Sequence, residues 1–342
     1  MKRLALAVIA AALLATGCGS TASASDDGPL TLRLGYFPNL THAPAIVGLQ
    51  NGIFASALGS GVTIERHTFN AGGDAVTAIL SSSIDASFVG PNPTVNAYAQ
   101  SHGEAIRVIS GATSGGALLV VSADITGPDQ LRGKKIADPQ LGGTQDVALR
   151  WYLKSRGFKT DATGGGDVSV LPQDNSQTLN AFKQHQIDGA WVPEPWASRL
   201  VVEGGGHILV DERDLWPGGR FVTTDLIVSK QFLRDHPKRV KALLEGLYKA
   251  ETFINSNAAQ AQSITNAAVG GITGKKLADG VVAAAWPHMT FTLDPLAATL
   301  KASADHAHSL GLLRDANLSG IYDLTLLNQV LAEHNQPPVS GL

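Results

Sequence analysis

The sequence predicts an α/β protein made of two similar lobes that face each other across a cleft. Three observations support this prediction. Short β-type runs alternate with amphipathic helical segments, one strand–loop–helix pattern occurs twice about a hundred residues apart, and polar loops follow the strands in both copies. With 342 residues, 44% of them hydrophobic, the chain can bury a core in each lobe.

The order of the elements follows from the hydrophobic pattern. In the N-terminal part, strands are predicted at 30–35, 62–69, 86–89 and 106–110, and helices at 43–51, 74–82 and 94–100. A continuous apolar run at 117–122 begins a second series of strands and helices, which continues to about residue 210. From residue 230 onward the pattern is almost entirely helical, with helical spacing at 243–254, 277–285, 296–310 and 324–332. This alternation is typical of a parallel or mixed sheet with helices on both faces.

An internal repeat indicates the two lobes. The polar loop 69–74 is followed by a helix and by the segment 84–93, and the loop 171–175 is followed by a helix and by 187–195. Both copies run strand, polar loop, helix, Ile-Asp, strand, Pro-x-Pro loop and helix. Because open α/β sheets bind ligands at the carboxyl ends of their strands, two such edges facing each other predict a ligand cleft.

The first 29 residues predict export. Lys2 and Arg3 precede the 12-residue apolar run Leu4–Ala15, which is too short to span a bilayer and fits a secretory signal over residues 1–17. The small residues before Cys18 resemble a bacterial lipobox, so we expect Cys18 to be lipidated; a plain signal peptide with an incidental cysteine is the alternative. Residues 18–29 are interpreted as a flexible tether. The protein is expected at the outer face of the cell membrane, held by its lipid, or in the periplasm.

Composition and motifs exclude several classes. The net charge is −3 and no basic block occurs, which argues against a nucleic-acid partner. One cysteine excludes a disulfide framework and a multi-cysteine metal site. HExxH, GxSxG, GxxxxGK[ST] and GxGxxG are all missing from the sequence. We therefore expect neither an enzyme nor a metal or cofactor.

Polar loops that open helices are the candidate binding elements. They lie at 36–42, 70–74, 90–93 and 142–146. Helix N-termini present free backbone N–H groups, so several of them around one cleft favour a small anion. For any one loop, ordinary capping and turn chemistry is an equally simple explanation.

Two tryptophans flank the stiff Pro193-Glu194-Pro195 segment. Trp191, on a predicted strand, is expected in the core, and Trp196, at a helix start, is expected to form a wall of the pocket. Glu194 has two open roles, to receive an ammonium or hydroxyl group of a ligand or to cap its own helix.

These features together resemble a known family. The segments that carry the resemblance are the signal with Cys18, Leu32–Tyr36, Gly90–Pro93, Ile187–Ala190 and Pro193–Trp196. They are similar to the substrate-binding proteins of ABC importers for aliphatic sulfonates, nitrate and taurine, a group that includes binders of thiamine-pyrimidine precursors.

The resemblance implies a two-lobe periplasmic-binding-protein fold of type II, with mixed sheets, helices on both faces and the ligand cleft between the lobes. It places one lobe at residues 30–116 plus 228–342 and the other at 117–227. The chain would cross between them at about 116–121 and 221–228.

The resemblance also implies a set of ligand contacts from both lobes. The matching positions are Asn39, Thr41, His42, Asn70, Gly72, Gly73, Pro91, Asn92, Ser114, Gly115, Thr144, Gln145, Glu194 and Trp196. The basic ligand residues of nitrate and bicarbonate binders have no counterpart, since Arg150 and Arg199 lie inside predicted helices. An aliphatic sulfonate is therefore favoured, and taurine, nitrate and a pyrimidine precursor remain alternatives.

The implied function is capture of a small organic anion by hinge closure and delivery to permease subunits in the membrane. The protein is expected to act as a monomer and without a cofactor. An enzyme on the same fold, either similar to a pyrimidine synthase or a secreted hydrolase, is the competing class. A carboxylate within about 3 Å of His42 would favour an enzyme, because a general base needs such a partner to orient it.

Overall fold

The computed structural model describes residues 28–342, so the predicted signal peptide and Cys18 lie outside the described residues. The strands are β1 (Leu30–Tyr36), β2 (Val62–Thr68), β3 (Ala86–Val89), β4 (Ile106–Gly115), β5 (Ala117–Val121), β6 (Lys135–Asp138), β7 (Ser169–Pro172), β8 (Gly189–Pro193), β9 (His207–Asp211), β10 (Val222–Ser229) and β11 (Met289–Phe291). The α-helices are α1 (Ala43–Gln50), α2 (Ile53–Leu58), α3 (Gly72–Leu80), α4 (Pro91–Gln100), α5 (Thr144–Ser155), α6 (Asn175–Lys183), α7 (Trp196–Val202), α8 (Lys230–Asp235), α9 (Pro237–Ser256), α10 (Ala258–Thr273), α11 (Asp279–Ala285), α12 (Ala297–Ser309) and α13 (Thr325–Glu333). Single turns of 3-10 helix lie at Leu40–His42, Pro128–Leu131, Glu212–Leu215, Pro217–Gly219 and Trp286–His288.

The predicted alternation of strands and helices is confirmed. The first five strands begin within a residue of the predicted runs, and the four predicted late helices correspond to α9, α11, α12 and α13. β11 was not predicted, because three residues are too few to show the alternation that marks a strand. Among residues 28–342, no helix is both long and apolar enough to cross a membrane.

Two mixed sheets form the framework. The first has the order β11-β4-β10-β3-β1-β2, with β2, β1 and β3 parallel and β10 antiparallel to both β3 and β4. The second has the order β7-β6-β8-β5-β9, with β7, β6 and β8 parallel and β5 antiparallel to both β8 and β9. We call the parts of the molecule built on the first and second sheets lobe 1 and lobe 2.

The internal repeat is confirmed in the details of both sheets. In lobe 1, Asp85 accepts the backbone N–H of Arg33 at 2.8 Å and donates its own N–H to the carbonyl of Arg33 at 2.9 Å. In lobe 2, Asp188 makes the same pair of bonds with Lys135, both at 2.8 Å. The Ile-Asp element therefore joins equivalent strands in each lobe, which explains why it occurs twice.

The chain passes between the sheets at two places. After β4 it turns at Gly115 and Gly116, both with φ of 77°, a conformation that glycine adopts without strain. It returns after β9 through the 3-10 turns at Glu212–Leu215 and Pro217–Gly219. Because β10 pairs with β3 and β4 over its length, the chain is already back in lobe 1 at residue 222, ahead of the predicted boundary at 227.

Apolar clusters cover both faces of both sheets. β5 illustrates the reason: Leu119 and Val121 join one cluster of lobe 2, and Leu118 and Val120 join the cluster on the opposite face. A strand buried on both faces requires the continuous apolar run seen in the sequence. Trp191 is completely buried, as predicted for a core residue.

Candidate functional site

Loops at the carboxyl ends of the parallel strands enclose a small space between the lobes, which we call the inner cavity. Its volume is about 50 Å³. The loops after β1, β2 and β3 line it from lobe 1, and those after β6, β7 and β8 line it from lobe 2. The lining residues are Phe37, Asn39, Thr41, His42, Asn70, Ala71, Gly72, Gly90, Pro93, Pro139, Gln140, Gly143, Thr144, Gln145, Asn175, Pro193 and Thr223.

A larger space, which we call the outer chamber, lies beside the inner cavity and shares Asn39, Asn70 and Asn175 with it. Its volume is about 570 Å³. Its other lining residues are Pro38, Phe69, Asp174, Ser176, Pro195, Trp196, Arg199, Glu203, Val269, Thr273, Lys275, Lys276, Leu277 and Ala278.

The inner cavity is polar but uncharged. Within residues 28–342, no Asp, Glu, Lys or Arg side chain lines it. Burial lowers the pKa of His42 to about 3, so its imidazole is neutral at physiological pH. Its Nδ1 accepts the backbone N–H of Phe37 at 3.3 Å, which assigns the ring hydrogen to Nε2. His42 is therefore a hydrogen-bond donor without a charge.

Several helices begin at this cavity, among them α3 from lobe 1 and α5 and α6 from lobe 2. Ala71 and Gly143 precede α3 and α5 and have no side chain that can cap a helix, and Asp174 makes no capping bond to α6. Their positive dipole ends therefore lie at the cavity from both lobes, although one first-turn N–H, that of Gly73, is already accepted by Gln140. Such an arrangement stabilises negative charge without a basic side chain.

The lobes touch around the cavity. Gln140 Oε1 accepts the backbone N–H of Gly73 at 2.8 Å, and Trp196 Nε1 donates to Asn39 Oδ1 at 3.0 Å. In both bonds one partner belongs to each lobe. The two lobes are therefore joined by direct hydrogen bonds beside the cavity.

Half of the residues implied by the resemblance meet in the inner cavity. They are Asn39, Thr41, His42, Asn70, Gly72, Thr144 and Gln145. Trp196, expected as a wall of the ligand pocket, lines the outer chamber and not the inner cavity. Gly73 contributes the cross-cleft bond to Gln140 rather than a lining surface.

Four others lie away from both spaces. Asn92 bonds in both directions with Ser303 of α12, by its Nδ2 at 3.3 Å and its Oδ1 at 2.7 Å. Its neighbour Pro91 is buried at the start of α4, and Pro93 lines the cavity in its place. Ser114 and Gly115 lie at the crossing between the sheets, where Ser114 Oγ accepts the N–H of Phe221 at 3.3 Å.

Glu194 also lies outside the cavity lining. It is completely buried, and its carboxylate accepts the backbone N–H of Ser198 at 3.0 Å and the hydroxyl of Ser198 at 2.9 Å. Of the two roles left open by the sequence, the geometry is that of a cap for the first turn of α7.

Several lining residues were not predicted. Gln140 and Thr223 carried no signal, because neither opens a helix nor belongs to a repeated motif. Asn175 was identifiable in principle, since it ends the lobe 2 loop that repeats the Asn70 loop. Its Oδ1 is buried and has no hydrogen-bond partner among residues 28–342.

A buried charged cluster supports the lobe 2 loop that carries Gln140. Asp138 accepts the N–H of Gln140 at 3.0 Å, and Asp146 accepts the N–H of Gly142 at 2.8 Å. Arg150 Nε donates to Asp146 at 2.6 Å, with both side chains almost completely buried. Arg150 is therefore part of the loop's support and not of the cavity. Arg199 lines only the outer chamber and is paired with Glu203.

Two buried carboxyl groups predict a pH dependence of stability. Burial raises the pKa of both Glu194 and Glu212 from 4.5 to about 7. Between these values each group binds more protons in the folded protein than in the unfolded chain, so its contribution to the free energy of unfolding decreases as the pH rises from 4.5 to 7, whereas neutral His42 contributes in the opposite direction below pH 6.5. Each group contributes at most about 3 kcal/mol. Urea unfolding of the unaltered protein and of a variant of one group, each at pH 5 and pH 8, measures this contribution.

The variant Glu194→Gln isolates one of these contributions. The amide oxygen still accepts the N–H of Ser198, and no proton is taken up, so the variant should lose less stability between pH 5 and pH 8 than the unaltered protein. Equal losses would show that Glu194 titrates at its ordinary pKa in the folded state.

Among residues 28–342, no carboxylate forms a hydrogen bond or ion pair with His42, and no group of three or more His, Cys, Asp or Glu side chains is placed to hold a metal ion. What the site offers is hydrogen-bond donors, helix dipoles and a closed space.

Named proteins from other organisms are similar to this chain in sequence. The taurine-binding periplasmic protein of Escherichia coli (strain K12) is 28% identical over 208 residues, which cover 61% of this chain and 62% of that protein. The chain thus matches less than two thirds of that relative's length. A Bacillus subtilis (strain 168) protein, provisionally named for aliphatic sulfonate binding, is 23% identical over 98% of both chains.

The fold has solved counterparts. The alkanesulfonate-binding protein SsuA from Xanthomonas axonopodis pv. citri, bound to MOPS, aligns with a TM-score of 0.68 at 21% identity, covering 85% of this chain and 96% of that one. The model of the NMT1-like family matches residues 25–269. With the two mixed sheets and the cleft between them, these findings show that the chain has the periplasmic-binding-protein fold and belongs to the NMT1-like family.

Proposed function

We propose that this protein is the extracytoplasmic substrate-binding component of an ABC importer for a small organic anion, an aliphatic sulfonate in the first place. One observation carries the proposal: helices α3, α5 and α6, from both lobes, begin without side-chain caps at one closed cavity that, within the described part of the chain, no acidic side chain lines. The names of the relatives, which refer to taurine and aliphatic sulfonate binding, support the same class of ligand.

The size of the inner cavity supports a compact anionic head. About 50 Å³ of water-accessible space holds on the order of four small groups. A sulfonate head consists of one sulfur and three oxygen atoms. Its oxygens would accept from the first-turn N–H groups of α3, α5 and α6 and from His42 Nε2.

Capture follows from closure of the lobes. In the open state each lobe presents half of the donors, and the ligand gains its full set of bonds only when the halves meet, so it favours the closed state. Gly115 and Gly116, together with the segment 212–221, are the proposed hinge between a lobe at 30–116 plus about 222–342 and a lobe at 117–221. The closed form is the one that membrane permease subunits would recognise.

The remaining parts of the proposal concern location. Lipidation at Cys18 would keep the binding protein at the outer face of the membrane, close to its permease. No cofactor is required, because binding and release involve no bond rearrangement.

A neutral pyrimidine precursor is the second candidate ligand. The observation that favours it is the uncharged lining: His42 together with the amides of Asn39, Gln145 and Asn175 can pair with ring nitrogens and hydroxyl groups. Taurine and nitrate belong to the first candidate class as other anions for the same donors.

Titration calorimetry on the purified full-length protein tests the proposal. The ligands are methanesulfonate, ethanesulfonate, taurine, nitrate, bicarbonate, sulfate and hydroxymethylpyrimidine. A sulfonate is expected to bind, and Thr144→Val, which removes a hydroxyl from the cavity wall, should weaken it about tenfold. Thr265→Val is the matched control, because that buried hydroxyl has no hydrogen-bond partner among the described residues and lines neither space. Binding of the pyrimidine alone would favour the second candidate. If none of these ligands binds, both candidate ligand classes are wrong.

A further inference from the structure

The outer chamber is more than ten times as large as the inner cavity. Three asparagines line both spaces, so the chamber directly adjoins the inner cavity. One of them, Asn175, has a buried Oδ1 that forms no hydrogen bond within residues 28–342. An anion the size of nitrate or bicarbonate would fill the inner cavity and leave the chamber unused.

The larger part of the chamber surface is apolar. Pro38 and Phe69 contribute from lobe 1 loops, Val269 and Leu277 from the end of α10 and the loop after it, and Trp196 from α7. The volume of about 570 Å³ lies within the range of pockets that enclose small organic molecules. Apolar surface of this extent favours a ligand that buries hydrocarbon there.

The indole of Trp196 is held in a fixed position. Its Nε1 donates to Asn39 Oδ1 at 3.0 Å, and the guanidinium carbon of Arg199 lies 4.7 Å from the centroid of its ring. Arg199 is itself fixed by two bonds to Glu203, at 2.8 and 3.1 Å. An aromatic wall that is already ordered loses little conformational entropy when a flat group stacks on it.

The charged side chains that line the chamber do not form a second anion-binding site. Arg199 is paired with Glu203, Asp174 adds a negative charge, and Lys275 and Lys276 are exposed at the rim. The chamber therefore suits an uncharged tail.

We propose that the outer chamber is the subsite for a bulky apolar tail, best an aromatic ring stacked on Trp196, so that the preferred ligand is an aryl or long-chain sulfonate rather than taurine, nitrate or bicarbonate. This inference rests on the proposed function, because it assumes that the anionic head lies in the inner cavity. Trp196 is then the residue that sets specificity for the tail.

Calorimetry with a series of sulfonates on the full-length protein tests the inference. Methanesulfonate, hexanesulfonate, benzenesulfonate and naphthalene-2-sulfonate share one head and differ only in the tail. Because each fully buried methylene is worth about fourfold in affinity, we expect hexanesulfonate and the aryl sulfonates to bind at least tenfold more tightly than methanesulfonate. Equal affinities along the series would overturn the inference while leaving the proposed function intact, whereas no binding at all would overturn both.

Two variants separate the ring of Trp196 from its hydrogen bond. Both Trp196→Ala and Trp196→Phe lose the bond to Asn39, so both should weaken methanesulfonate to the same small extent. Only Trp196→Ala should abolish the additional affinity for naphthalene-2-sulfonate, and Trp196→Phe should keep most of it. Equal loss of that additional affinity in both variants would overturn the role of the ring. Thermal unfolding without ligand checks that both variants are folded. If either variant is unfolded, the sulfonate series on the unaltered protein decides the inference.

Discussion

The variant Gly90→Ala is expected to bind the ligand about 5- to 150-fold more weakly than the unaltered protein. Gly90 lies at the start of α4 in lobe 1, and a Cβ at this position would overlap Thr144 Oγ1 of lobe 2. Its φ of −74° and ψ of 162° are ordinary for alanine, so the backbone of lobe 1 is not strained. The overlap exists only when the lobes meet. The substitution should therefore make the free energy of lobe closure less favourable.

Calorimetry gives the affinity, and small-angle X-ray scattering with and without ligand gives the degree of closure. Gly271→Ala is the matched control, because a Cβ there meets no atom within 4 Å. Adding Thr144→Ala to Gly90→Ala removes the overlapping hydroxyl and should restore compaction on ligand binding. Unchanged affinity in Gly90→Ala would mean that ligand binding does not require the lobes to approach as closely as they do here.

The second large effect concerns the cluster beneath the Gln140 loop. Asp146→Asn should destabilise the protein by about 3–5 kcal/mol, because it leaves the guanidinium of Arg150 buried without its counter-charge. Asp138→Asn should change stability by less than about 1 kcal/mol. Burial, together with the neighbouring carboxylate of Asp146, raises the pKa of Asp138 and favours its neutral form, which an asparagine imitates.

Urea unfolding at pH 7 compares the two variants, which differ from the unaltered protein by the same chemical change. Asp146→Asn should also weaken ligand binding, since the loop that carries Gln140 and Gly143 loses a bond to Gly142. Equal destabilisation by both substitutions would show that the two carboxyl groups share the charge evenly and that the assignment of the neutral form to Asp138 is wrong.

The architecture was predictable because its signals are local or repeated. Runs such as 117–122 are apolar throughout because β5 is buried on both faces. The repeated Ile-Asp element marks equivalent strands because Asp85 and Asp188 each pair with the backbone of a neighbouring strand in the same way. The cleft was then predictable as well, because the carboxyl ends of parallel strands meet at one edge of a sheet.

The residues that line the cavity were only partly predictable, because long-range hydrogen bonds decide which polar side chains remain available. Asn92 and Asn39 look alike in sequence as polar residues at helix starts, yet both amide atoms of Asn92 are bonded to Ser303, 211 positions away, whereas the bond of Asn39 to Trp196 uses its Oδ1. Glu194 is occupied by Ser198, four positions on, although its position between two prolines looked equally suited to a ligand. An atom of a polar side chain is available to a ligand only if no other part of the chain already forms a hydrogen bond with it.

The sequence by itself determined the fold class, the two lobes, the buried Trp191 and the polar loops from which the cavity is built. Only the tertiary structure decided which donors remain free, that Gln140 and Thr223 join them, and that a large apolar chamber adjoins a small polar cavity. Local propensity and periodicity act along the chain and are visible in it. The shape and charge of a cavity depend on contacts between residues far apart in sequence, and these exist only once both lobes have folded and met.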